Sequence, residues 1–294
     1  MVKEEYITEE LKERIEAFNL SMSGKRYAIE HLDKESMASE EYKKAYADLR
    51  NDYLSLYREY SQIPDIDLYH YYMGRNPRAF DVWSISGNDE RYGSPEFRGK
   101  IASEIVFNCI YWFTNKFDRV VDPMAGGGVV HDVCKAMVRR VKSYDISPTR
   151  PDIRQWDIRD GYPSDVVNED FIFLDPPYYK KIDYGEQGNE FSKDKITFLR
   201  NILNLAVNSY SVLKSGGYLA FIMSNYVDYE DNNRSIYMPE MINSFTKCGF
   251  DIYRMIYCQN QSSQYRGFHV KHTLDNRDKH RFLTLQKTLV IFKK

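Results

Sequence analysis

Phe171-Ile172-Phe173-Leu174-Asp175-Pro176-Pro177-Tyr178 is the stretch from which the fold is read. Four apolar residues in a row predict a strand buried on both faces. The strand ends in a carboxylate, and two prolines follow. Neither proline has a backbone N–H for a ladder, and each has a fixed φ. The result is a stiff turn at the carboxyl edge of a sheet, where open α/β sheets hold ligands. Such a turn presents the Asp175 carboxylate, a proline carbonyl and the Tyr178 ring together. Two acceptors suit an exocyclic NH2 group, and the ring suits the planar heterocycle that carries it. On these residues alone, an ordinary proline turn after a strand competes with that reading.

Upstream, Arg119-Val120-Val121-Asp122-Pro123-Met124-Ala125-Gly126-Gly127-Gly128-Val129-Val130 predicts a strand, a glycine turn and a helix through Val133, Cys134, Met137 and Val138. Glycine lets the backbone approach a ligand and take positive φ, and helix-start amides favour anionic groups. The spacing GxGxxG of a dinucleotide loop is absent, and no Gly-Lys-Ser/Thr of a P-loop follows. Val141 to Ser147 predicts a second strand that ends at Asp145, 19 residues after Gly126. In a doubly wound sheet a carboxylate at that place meets ribose hydroxyls. The competing reading is an Asp that caps the next turn.

Asp175-Pro176-Pro177-Tyr178 resembles the catalytic motif of the amino-methyltransferases, which methylate adenine N6, cytosine N4 or guanine N2 with S-adenosylmethionine. Asp122 to Gly128 resembles the cofactor loop of such enzymes, where Asp-Pro-Phe-Ala-Gly-x-Gly is common; Met124 departs from the usual aromatic. The resemblance covers about residues 94–294. It implies S-adenosylmethionine held by Asp122, Pro123, Met124, Ala125, Gly126 and Gly128, with the ribose on Asp145 beside Ile146. It also implies that Asp157 accepts from the adenine amino group, and that Phe97, in Ser94-Pro95-Glu96-Phe97, lies against the methionine end. Asp175, Pro176, Pro177 and Tyr178 are then the catalytic set. Asp in the first position favours adenine N6 in DNA; Ser is commoner for cytosine N4, which ranks second. No Pro-Cys dipeptide points to cytosine C5.

The remaining chain fills in this frame. Thr8-Glu9-Glu10-Leu11 opens a helix with an apolar stripe at Leu11, Ile15 and Phe18. A second helix is expected from Ser39 to Tyr60. Residues 63–99 carry Pro64, Gly74, Pro77, Gly87, Gly93 and Pro95 and predict loops around a short apolar interlude, Asp81 to Ile85. A helical pattern spans Ser94 to Asn115. Later come a helix over Ile196–Leu213 closed by Gly216-Gly217, a buried strand Tyr218–Met223, a helix Tyr237–Thr246, and strands Phe250–Tyr257 and Leu285–Phe292. The strand–helix alternation predicts an α/β fold: a Rossmann-like seven-stranded sheet whose last pair is the C-terminal antiparallel hairpin typical of methyltransferases. Residues 1–80 form a helical arm and linker, and 81–294 a catalytic domain with an insertion at 258–282.

Net charge is −2, so no global basic field argues for nucleic acid and any contact must be local. Tyr179, Lys180 and Lys181 open a polar loop beside the proposed chemistry, and Arg266 and Lys271 sit among Tyr265 and Phe268 in the insertion. Interleaved basic and aromatic residues suit phosphate contact and stacking; solvated loops compete. His269, His272 and His280 lack a fourth ligand at sensible spacing, so no metal is expected. The four cysteines show no CxxC pair, and no signal peptide or long apolar run is present, which predicts a soluble cytoplasmic protein without membrane contact. The partners expected are nucleic acid, DNA first, and a second copy or a partner subunit on the N-terminal helices. Other classes stay open. They are an RNA, free-nucleotide or protein-glutamine methyltransferase, a non-catalytic cofactor-binding subunit, and a Rossmann oxidoreductase that binds nicotinamide.

Overall fold

The computed structural model describes residues 8–30, 39–87, 89–97, 99–178, 190–224, 237–260, 277 and 286–294. The chain divides into two compact units, one of residues 1–77 with 136–138, the other of residues 78–135 and 139–294.

The first unit is helical. Helix α1 (Glu9–Glu30) starts after Thr8, whose hydroxyl accepts from Leu11 N. Helix α2 (Glu40–Tyr60) is capped by Ser39, whose side chain accepts from Tyr42 N, as the Ser-Glu-Glu start suggests. Ile15, Phe18 and Tyr60 are buried. Tyr42–Tyr46 and Tyr53–Tyr57 stack along α2 at one-turn spacing. A third helix, α3 (Asp65–Met73), lies where loops were expected. Pro64 immediately precedes it, Asp65 and Asp67 occupy its first turn, and Gly74 ends it in the left-handed region. Proline and glycine here bound a helix instead of marking a loop, and buried Leu68 and Tyr69 supply its packing face.

The second unit is an eight-stranded sheet. Its strands in chain order are β1 (Val82–Ile85), β2 (Arg119–Asp122), β3 (Arg140–Asp145), β4 (Arg154–Gln155), β5 (Glu169–Leu174), β6 (Leu213–Met223), β7 (Asp251–Asn260) and β8 (Gln286–Lys293). The spatial order is β1-β7-β8-β6-β5-β2-β3-β4. All pairings are parallel except β6–β8 and β7–β8. This is a Rossmann-like doubly wound sheet, and it carries the expected antiparallel hairpin, β7–β8. It also has one strand more than expected. The apolar interlude at 82–85 joins the edge of β7, with Val82 opposite Tyr257. The anchor of β1 is polar: Arg78 donates to the Glu104 carboxylate and to Ser84 O, and Trp83 Nε1 donates to Phe80 O.

Helices α4 (Ser103–Phe113), α5 (Val129–Ala136), α6 (Lys195–Val212) and α7 (Met238–Lys247) pack on the sheet. Helix α4 starts nine residues later than the periodicity from Ser94 suggested, so Ser94 to Phe97 lie in turns. Strand β6 follows α6 without a break, and Gly216 takes φ 77° inside it. Phe171 to Leu174 are fully buried, as four apolar residues between two helix layers require. Phe245 stacks on Phe292 with ring centroids 4.7 Å apart, and this aromatic cluster with Phe221 and Phe250 seals α7 against β6 and β8. Cys109, Cys134 and Cys258 are buried, and none of the four cysteines is in a disulfide. Among the described residues no helix is long and apolar enough to cross a membrane.

Strand numbering runs one way from β2 through β3 to β4 and the other way from β5 to β6. The reversal falls between β2 and β5, which pair through Val120–Phe171 and Val121–Ile172. A reversal of this kind opens a crevice at the carboxyl ends of the two strands.

Candidate functional site

The glycine turn follows β2 and the proline turn follows β5, so the fold sets both at that crevice. Ala125 N donates to Tyr144 O at 2.8 Å, which ties the first turn to β3. Gly126 N donates to Asp145 Oδ2 at 2.7 Å, and Ser147 N donates to Asp145 Oδ1 at 2.9 Å. The acid at the end of β3 therefore holds the glycine turn by one oxygen and its own turn by the other. Gly126 has φ 49°, and a Cβ there would stand 2.7 Å from Phe97 Cζ. Only glycine lets that aromatic ring lie against the turn.

The turn is braced from behind. Ser94 N donates to Gly127 O, and Gly93 N donates to Asp132 Oδ2. Arg150 pairs with Asp132 at 2.6 Å and with Asp152 at 2.8 Å. His131 Nδ1 lies 2.9 Å from Ser143 Oγ, and burial lowers its pKa to about 4, so the imidazole is neutral.

Across the crevice, Asp175 leaves β5 with its side chain 19% exposed. Its Oδ2 lies 3.6 Å from Lys287 Nζ on β8. Its Oδ1 is buried and has no hydrogen-bond partner among the described residues. Burial, the larger influence, pushes the Asp175 carboxyl above its ordinary value, and the Lys287 ammonium opposes it. Tyr178 is 5% exposed and packs in the core beneath α6, with Lys287 Nζ 5.5 Å from its ring centroid.

Both turns line one cavity of about 290 Å3, near the low end for small-molecule sites. Asp122 to Gly126 and Phe97 line it, as do Asp145 and Ile146, Asp157, and Asp175, Pro177 and Tyr178. Gly128 and Pro176, also expected in the site, are not on its lining. Tyr179, Lys180, Lys181, Arg266 and Lys271 lie outside the described residues, as does the 258–282 insertion apart from the end of β7 and Arg277.

The lining is acidic. Asp122 is 3% exposed; burial pushes its carboxyl well up, Met124 N opposes this, and the charges of Asp145 and Asp175 push the same way as burial. Asp157 is different. Burial raises its carboxyl, but Arg159 Nε and Nη2 grip it at 2.6–3.0 Å and hold it below the ordinary carboxylate range. It also caps the short 3-10 turn 158–160 through Arg159 N. An adenine amino group reaching Asp157 therefore meets a carboxylate already engaged by Arg159.

Sequence reasoning missed Trp156, Phe191, Lys100 and Thr149 on the lining and Lys287 behind Asp175. Trp156 had a local signal, an aromatic next to an acid just past a strand. Lys287 had none, because its place depends on the antiparallel insertion of β8.

No protein-family model matches the chain, and no curated protein matches it. Solved structures do. A TehB-like SAM-dependent methyltransferase from Corynebacterium glutamicum aligns at 12% identity over 71% of this chain and 90% of that one, with TM-score 0.41. A SAM-dependent methyltransferase from Archaeoglobus fulgidus aligns at 15% identity over 68% and 96%, with TM-score 0.44. An S-adenosylmethionine-dependent methyltransferase from Mesorhizobium loti aligns at 13% identity over 66% and 98%, with TM-score 0.38.

Proposed function

We propose that this chain binds S-adenosylmethionine in the shared cavity and methylates an exocyclic amino group of a nucleobase, adenine N6 in DNA before cytosine N4. The observation that carries the reading is Asp175. The Asp175 side chain lines the same cavity as the glycine turn, and its Oδ1 is buried without a hydrogen-bond partner among the described residues. A buried acceptor left empty is costly, which fits a site completed by an incoming N–H.

The residues fit the cofactor. Asp145 stands where a doubly wound sheet meets a ribose, Phe97 and Gly126 shape one wall, and the acidic lining favours a cation. When bound, S-adenosylmethionine supplies a methyl group on a positively charged sulfur. The work of the protein is then positioning and electrostatics. An aryl-type amine is a poor nucleophile because its lone pair is conjugated into the ring. The Asp175 carboxylate accepts a hydrogen from it, which localises the lone pair and aims it across the crevice. Pro176 and Pro177 keep this acceptor rigid. Tyr178, set deep in the core with Lys287 near its ring, offers an edge or a single face to the base. A base in a duplex must leave the stack to reach this depth.

The experiment supplies methyl-labelled S-adenosylmethionine with duplex DNA, transfer RNA and protein in parallel, then digests and identifies the methylated product by mass spectrometry. N6-methyladenine in DNA is the expected product. Asp175→Asn is expected to lose activity roughly a hundredfold or more while still binding S-adenosylhomocysteine. Label in protein alone, or full activity in Asp175→Asn, overturns the assignment.

A further inference from the structure

We propose that Lys287 is the positioning residue of the site: its ammonium holds Asp175 as a carboxylate, oriented to accept from the acceptor amine. The inference rests on the methyl-transfer reading above. It adds to that reading a residue from the opposite end of the chain with no motif to mark it.

Three observations carry it. Lys287 Nζ is 3.6 Å from Asp175 Oδ2, so the pair orients the carboxylate where its side chain lines the cavity. Lys287 lies opposite Cys258 in the β7–β8 ladder, and next to it Thr288 is paired to both Met223 and Tyr257. The lysine stem is therefore fixed by two flanking strands. Its ammonium also stands 5.5 Å from the Tyr178 ring centroid, so one cation lies beside both the aspartate and the tyrosine of the proline turn.

The need for it follows from the surroundings. Asp122 faces Asp175 from β2, and Tyr178 faces it from its own turn. On the Lys287 side stands Cys258 of β7, with Glu104 of α4 behind it. Burial favours a protonated Asp175. A protonated carboxyl donates from one oxygen, which is the wrong polarity toward an amine N–H. Among the described residues Lys287 is the cation that acts against this. Its charge keeps the group an acceptor, and its position orients it.

The test compares wild type with Lys287→Met, Lys287→Gln and Lys287→Arg. The first readout needs neither cofactor nor acceptor: carbon-13 NMR titration of aspartate-labelled protein, with Asp175→Asn identifying the resonance. The Asp175 carboxyl is expected to titrate at higher pH in Lys287→Met and Lys287→Gln and to return toward wild type in Lys287→Arg. The second readout is methyl transfer to duplex DNA against pH. The acid limb is expected to move to higher pH by roughly one unit or more, since one nearby opposite charge biases a carboxyl by that order. Should the Met variant not fold, Gln keeps length and polarity without charge. An Asp175 resonance unmoved by loss of the lysine charge, or moved as far by Arg as by Gln, overturns the proposal. Absence of transfer to every acceptor would instead sink the methyl-transfer reading, and the NMR result would still decide on Lys287.

Discussion

Gly126→Ala tests whether the glycine turn and Phe97 form one wall. At φ 49° an L side chain costs about 1–2 kcal/mol relative to glycine. The added Cβ also meets Phe97 Cζ at 2.7 Å and Cε1 at 2.8 Å, so the ring must retreat. Overpacking of this kind adds about 1–3 kcal/mol. Phe97 itself lines the cavity, so its retreat narrows the site as well as straining the fold. The variant is expected to lose about 2–5 kcal/mol of stability in urea. It is also expected to bind S-adenosylhomocysteine at least tenfold more weakly by calorimetry. The two parts separate in a double-mutant cycle. With Phe97→Ala as background, Gly126→Ala is expected to retain only the backbone part. The coupling energy then equals the ring clash, about 1–3 kcal/mol. Equal losses in both backgrounds would refute the shared wall.

Three further outcomes are expected. Asp145→Ala strips acceptors from Gly126 N and Ser147 N; S-adenosylhomocysteine affinity is expected to fall on the order of a hundredfold, given about 1–3 kcal/mol for each unsatisfied polar group, and unchanged affinity would remove Asp145 from the cofactor site. Arg78→Met removes the guanidinium paired with the Glu104 carboxylate, which is 2% exposed; unfolding in urea is expected to show a loss of about 3 kcal/mol, with part recovered by adding Glu104→Gln, and no recovery would mean that lost packing, not the lost ion pair, dominates. His131 has its pKa lowered from 6.5 to about 4, so between those values the unfolded chain takes up a proton that the folded chain does not. Stability is whole above pH 6.5 and falls by about 3 kcal/mol as pH drops toward 4; urea midpoints for wild type and His131→Gln are expected to converge at low pH, and parallel curves would dismiss His131 as the cause.

The sheet half of the fold was legible because its strands are short apolar runs that end in marked turns. Phe171 to Tyr178 and Val120 to Gly128 each carry a strand, its end and its turn in one reading frame. The helical pattern from Ser94 misled at its start because Ile101 and Ile105 belong to a buried surface that continues past the end of α4. Helix α3 was hidden by Pro64 and Gly74, which bound helices as readily as they break them. In the site, the local signals of Asp122, Gly126, Asp145 and Asp175 survived folding into a common cavity. The engagement of Asp157 by Arg159 was written two residues away and overlooked. Lys287 was invisible for a different reason, since no spacing along the chain encodes an antiparallel neighbour.

The order of β7, β8 and β6 has a bearing on synthesis. The eighth strand is made after both of its neighbours, yet it is the seam that joins them. A nascent chain that has not reached Gln286 leaves Leu219, Phe221 and Ile256 without their partners on β8. It already possesses the whole glycine bend and the aspartate turn, but the aspartate stands beside no counter-ion. On the role proposed for Lys287, the event that closes the sheet also brings the aspartate its cation.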